Sequence, residues 1–128
     1  MNYLSQLLIV GAGGFIGSAM RFVVSSSVQR MIAPSLMPYG TLVVNVFGCL
    51  AIGLLGGLAE SRYVLEPGQR LFLMAGILGG FTTFSAFAFE SLALVQDGAL
   101  MKATFNVVAQ LVLGFGAAIA GYAMTRAL

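Results

Sequence analysis

Between Gly76 and Glu90 the chain reads GILGGFTTFSAFAFE. Gly76, Gly79 and Gly80 lead into Thr82, Thr83 and Ser85, with Phe81, Phe84, Phe87 and Phe89 interleaved before the acid. No nucleophile stands here with a base, so the stretch does not read as an enzyme site. It reads as a place to hold an ion without a full charge. Glycine weakens a helix by roughly 1 kcal/mol relative to alanine, so the backbone can leave helical geometry and release carbonyls, which suit a cation. An aromatic ring has a negative face and a positive edge. Rings turned edge-on can hold a small anion loosely enough to let it go. Packing is the competing reading of so many phenylalanines. Phe84 and Phe87 are three apart and share a face, together with Phe81.

Three further groups carry polar chemistry at helical spacing. Thr41, Asn45 and Gly48 make a small-polar stripe on one helix face. Asn45 either bonds two helices together or donates its amide to a passing anion, and the sequence leaves both open. Asn106 and Gln110, four residues apart, either lock an interface or line a polar track. Arg21 either extends its head to the membrane interface or stands in a water-filled vestibule that attracts anions.

The elements that must position these residues follow from composition. The chain has 128 residues, 59% apolar and 8% charged, against about 25% charged in soluble domains. Apolar stretches near 4–28, 40–59, 70–95 and 101–126 each match the roughly 20 residues that cross a bilayer. The expectation is a single all-α integral membrane domain over residues 1–128, with four transmembrane helices and a break in the third. As one continuous helix the third span would run roughly 39 Å, with Thr82 and Thr83 near its centre. Non-helical backbone at that depth survives only where protein buries it or it lines a polar cavity. A break between Gly79 and Thr83 would turn carbonyls toward the membrane midplane, as in transporters that bind sodium on broken helices.

The connections carry Pro34, Pro38 and Pro67 and most of the charges. Tyr3, Tyr39, Tyr63 and Tyr122 fall at or near span ends, where interfacial tyrosines gather. The N-terminal apolar run has no basic residue before it and outlasts a signal-peptide core, so it is expected to stay as the first helix. Cys49, the one cysteine, lies within the second span; with no histidine present, a disulfide, a zinc site or a redox centre is not expected. A net charge of +2 without a basic run gives no sign of nucleic acid. Gly13 with Gly17, and Gly53 with Gly57, have the spacing that lets helices approach closely in lipid. Arg21, Asn45, Phe84, Phe87, Asn106 and Gln110 all fall in one half of the membrane when measured from each span's centre.

Four crossings return the C-terminus to the side of the N-terminus. Arg62, Arg70 and Arg126 then lie on one side, and Arg21, Arg30 and Lys102 on the other. Orientation normally follows an excess of basic residues on the cytoplasmic side. This chain shows no excess, which leaves insertion in both orientations open. Four helices leave little room for a pathway within one copy, so transport would need an interface between copies. Internal inverted repeats, common in transporters, are not visible; an antiparallel pair of copies would supply the same symmetry.

The segments GGFIGSAMRF (13–22), GTLVVNVFG (40–48) and GILGGFTTFSAFAFE (76–90) resemble the signature segments of the Fluc (CrcB) fluoride channel family. The resemblance covers the chain in length and helix count. It implies a dual-topology, antiparallel homodimer in the cell inner (plasma) membrane, passively exporting fluoride along two pathways. On that likeness Phe84 and Phe87 turn ring edges to fluoride, Asn45 lines the pore and Arg21 is the vestibule arginine. A structural sodium ion is implied at the dimer centre, held by backbone carbonyls mapping onto Gly79 and Thr82. Glu90 matches the acid that closes the motif. The hydroxyls of Thr41, Thr83 and Ser85 join the fluoride pathway, with Asn106 and Gln110 where the family varies. Ala86 and Ala88 stand where the family commonly has hydroxyl residues. The competing expectation is a small dual-topology, proton-coupled exporter of cationic compounds. It would need an ionisable acid deep in the membrane, and Glu90 is the one acid within a span.

Overall fold

The computed structural model describes residues 1–32, 35–61 and 65–126. Pro34, Arg62 and Tyr63 lie outside the described residues. The first helix, α1 (Tyr3–Met31), starts where Asn2 Oδ1 accepts the N–H of Ser5 at 2.8 Å, satisfying one orphan donor of the first turn. The second, α2 (Tyr39–Ser61), follows Pro38, which cannot donate to a helix. Gln29 ties the two together: its Nε2 donates to the carbonyls of Ser35 and Met37, and its Oε1 accepts the N–H of Gly40.

The third span runs from Pro67 to Gln96 in four pieces. A first turn, α3 (Pro67–Arg70), has Pro67 at its start and a reciprocal cap between Glu66 and Gln69. A π-helical segment covers Leu71–Leu78, and Gly79 closes it by donating to Met74 O, five residues back. Then come α4 (Gly79–Phe81) and, after an interruption, α5 (Phe84–Gln96). Gly98 reverses the chain at φ 73°, in the left-handed region that favours glycine. The last helix is α6 (Leu100–Arg126). All four spans fall within a few residues of the expected bounds, and each is long and apolar enough to cross a membrane.

α2 packs along α6, and α1 packs along the π-helical segment and α4. Backbones meet at the glycines. A Cβ on Gly13 would lie 2.7 Å from Phe72 O and 2.9 Å from Gly76 Cα. One on Gly53 would press on the Ala118 carbonyl, and one on Gly57 on the Thr125 hydroxyl. The close-packing reading of both glycine pairs holds. Much of the outer surface remains apolar, including Phe15, Phe22, Phe89 and Phe115, as suits a chain whose helices are long and apolar enough to cross a membrane.

Candidate functional site

The helix breaks at Thr82 and Thr83. Thr82 (φ −79°, ψ 158°) and Thr83 (φ −152°, ψ 114°) are both extended. The expected window opened at Gly79, but helix persists through Phe81, because the Thr82 N–H and hydroxyl both still donate to Leu78 O at 3.0 Å. Thr83 restarts the chain as α5: its hydroxyl accepts the N–H of Ala86 at 3.2 Å, a threonine N-cap.

Asn45 holds the break in place. Its Oδ1 accepts the Thr83 N–H at 2.8 Å, and its Nδ2 donates to Thr83 O at 3.0 Å and to Gln110 Oε1 at 3.1 Å. In an unbroken helix the Thr83 N–H would bond to the Gly79 carbonyl. Asn45 takes that donor away, and the extended conformation of Thr82 turns its carbonyl out of the helical ladder. Two hard oxygens thus border the break, the type of ligand that binds alkali cations on unwound transmembrane helices. Gly79 is exposed on the surface of the single chain.

Asn45, Gly48, Cys49, Gly79, Thr82, Thr83, Phe84, Phe87 and Gln110 are among the residues around a cavity of about 350 Å³. Phe84 and Phe87 meet edge to face, with centroids 5.4 Å apart and planes at 67°. Phe87 is 8% exposed and Phe84 is 76% exposed, so one ring is anchored and the other projects from the chain. Phe81 does not share their face: the break interrupts the helical register, and its ring is buried against the core near Gly48. Ser85 is exposed, with Oγ 3.3 Å from Thr83 Oγ1.

Gln110, 9% exposed, lines the same cavity, and its Nε2 is buried without a hydrogen-bond partner. A buried donor left unmade costs about 1–3 kcal/mol, so the position favours any acceptor that reaches it. Asn106 does not line the cavity. It is fully buried and donates to Ser91 Oγ at 3.0 Å, and Ser91 donates in turn to Phe87 O at 2.8 Å. The two amides of α6 therefore differ: Asn106 locks α6 to α5, while Gln110 joins the break.

Two further hollows, of about 270 and 460 Å³, are lined by several hydroxyl residues and are called the vestibule below. Ser25, Ser26, Thr41 and Glu90 border both, and Arg21 and Thr83 border the smaller. Thr41 donates to Glu90 Oε1 at 2.6 Å, and Glu90 Oε2 is buried without a partner. Thr83 touches the ring-lined cavity and the vestibule alike. Sequence reasoning did not single out Ser25, Ser26 or Ser91. The signal for the first two was a run of small hydroxyl residues one turn beyond Arg21; Ser91 gave none, since a lone serine after Glu90 looks like ordinary helix.

The chain matches the CrcB-like protein family, Camphor Resistance (CrcB), over residues 8–122. It is 42% identical over 123 residues, 96% of its length, to a protein of Maridesulfovibrio salexigens named fluoride-specific ion channel FluC, covering 97% of that relative. A Nitrobacter hamburgensis protein named fluoride-specific ion channel FluC 1 is 42% identical over 122 residues, covering 95% of this chain and 96% of the relative. A Rhizobium meliloti FluC is 39% identical over 125 residues, or 98% and 99% of the two chains. These relatives carry the names of ion channels, not enzymes. Near-complete coverage at such identity, on four membrane-crossing helices, makes this chain a member of the CrcB-like family and a multi-pass protein of the plasma membrane.

Proposed function

We propose that the chain is a fluoride-selective channel that lets fluoride leave the cytoplasm passively and so lowers its toxicity. The observation that carries this reading is the edge-to-face pair Phe84 and Phe87 on a cavity that also presents a buried, unpaired amide nitrogen. Fluoride is small and strongly hydrated, so its dehydration must be offset by donors along the path. Ring edges and amide N–H groups are such donors, and none carries a charge that would trap the ion. The path takes Phe84, Phe87, Asn45 and Gln110, with the hydroxyls of Thr41, Thr83 and Ser85. Asn106 supports the wall through Ser91, and Arg21 draws anions into the vestibule.

The working unit in this reading is an antiparallel, dual-topology homodimer. A projecting Phe84 ring in one copy needs a neighbour to enclose it, and the balanced basic residues favour insertion both ways. A structural sodium ion at the dimer centre fits the break, with the carbonyls of Gly79 and Thr82 as its ligands. One chain offers two such oxygens, and a second copy would double the set. The proton-coupled exporter rests on Glu90 alone, whose carboxylate accepts the Thr41 hydroxyl at the vestibule; channel-named relatives give it no support.

The test is fluoride release from liposomes holding the purified protein, with valinomycin supplying a potassium path and chloride as the comparison. Rapid fluoride loss that depends on valinomycin, with chloride retained, is expected. Retained fluoride with demonstrably folded protein would refute the reading.

A further inference from the structure

We propose that Gln29 is a positioning residue for ion entry: it holds residues 35–38 and the first turn of α2 as the fixed rim of the vestibule. The proposal rests on the channel reading above and deepens it, adding a residue outside the path itself.

The partners of the Gln29 side chain are all backbone groups. A backbone N–H can only donate and a carbonyl can only accept, so the amide has one possible orientation. Nε2 donates to the carbonyls of Ser35 at 3.2 Å and Met37 at 3.1 Å, and Oε1 accepts the N–H of Gly40 at 3.3 Å. The Gly40 N–H is one of the donors that the first turn of a helix leaves without an intrahelical acceptor, and Gln29 caps it from 11 positions away. Both amide hydrogens of Gln29 are spent on carbonyls, so the side chain acts as a brace and not as an anion donor.

The start of α2 is also pressed on α1. Gly40 is buried, and a Cβ there would run into the carbonyl and hydroxyl of Ser25, one turn before Gln29. The next residue of α2 is Thr41, 4% exposed, whose hydroxyl donates to Glu90 Oε1 at 2.6 Å. Ahead of Gly40, Met37 is buried with Leu94 of α5 and Ala103 of α6. The connection is therefore tied by its backbone to α1 and by a side chain to α5 and α6. Leu36 and Pro38, on either side of Met37, border the larger hollow together with Gln29, Thr41 and Glu90. Loss of the Gln29 amide frees this rim and the turn that carries Thr41, while Phe84 and Phe87 border a different cavity. A rim governs capture of the ion from water, which limits current when fluoride is scarce; release and passage limit it when fluoride is abundant.

Two variants test the proposal. Gln29→Met removes donors and acceptor at similar size, and Gln29→Asn keeps the amide but withdraws it by a methylene. Single-channel current in planar bilayers, followed from low to saturating fluoride, reads capture and passage separately and does not depend on how much protein is active. In both variants conductance at low fluoride is expected to fall about threefold or more and conductance at saturation to stay within about 1.5-fold of wild type, as a loss of capture alone requires. Selectivity for fluoride over chloride is expected to be unchanged, and amide hydrogen exchange across residues 35–42 to speed up. A fall of equal size at every concentration, unchanged conductance at low fluoride, or exchange as slow as in the wild type would overturn the proposal. So would failure of both variants to fold, which would make Gln29 a residue of stability alone. A wild type that passes no fluoride would instead overturn the channel reading, and this proposal with it.

Discussion

Asn45→Ala removes the three hydrogen bonds that pin the break, at 2.8, 3.0 and 3.1 Å. The two bonds to the Thr83 backbone are each worth about 1 kcal/mol net. The bond to Gln110 is an interhelical side-chain pair in the membrane, where about 0.6 kcal/mol is typical. Their sum is about 3 kcal/mol before any relaxation, a large part of a stability of roughly 5–15 kcal/mol. The loss falls on the break, because the Thr83 N–H loses its acceptor and could bond to the Gly79 carbonyl only if the helix rewound. Denaturant titration of the purified protein in mild detergent, followed by the helical signal, measures this loss. A destabilisation of about 2–4 kcal/mol is expected. A loss below about 1 kcal/mol would show that Asn45 is not the clamp, and the assignment of donors along the site would lose its starting point.

Other expectations follow from the same geometry. Replacing both Phe84 and Phe87 with isoleucine keeps apolar bulk but removes the ring edges; fluoride flux from liposomes should fall to background while the oligomer elutes unchanged. Gly13→Val forces a side chain against Phe72 O and Gly76 Cα. Overpacking of this type costs about 1–3 kcal/mol, so the yield of folded protein should drop, while Gly116→Ala, with open space at that Cβ, should leave it unchanged. Cys49 lines the ring-bordered cavity and is the sole cysteine. A small methanethiosulfonate reagent should therefore reduce flux in the wild type and leave Cys49→Ser unaffected; equal block in both would separate the thiol from the path.

Much of this arrangement was legible in the sequence. Four spans follow from apolar length, and the interruption of the third follows from glycines beside a threonine pair at membrane depth. The position of the break within GGFTT was not legible, because it depends on which donor Asn45 captures, and that partner lies 38 positions away. The same long-range choice moved Phe81 from the aromatic face into the core. The π-helical segment LFLMAGIL is apolar all round, so its period leaves no polar face to betray it; it arises where Gly76 meets Gly13. Spacing placed Asn106 and Gln110 on one face correctly. It could not show that one is spent on Ser91 while the other keeps a free donor, since only packing distinguishes two amides a single turn apart.

The central claim is that uncharged donors beside a broken helix select fluoride. It is tested most directly by the reversal potential across a planar bilayer with unequal fluoride concentrations on the two sides and chloride making up the difference. The account predicts a current that reverses near the equilibrium potential for fluoride and is unmoved when the chloride concentration is changed. A reversal that tracks chloride, or lies at zero as for an unselective leak, would contradict it.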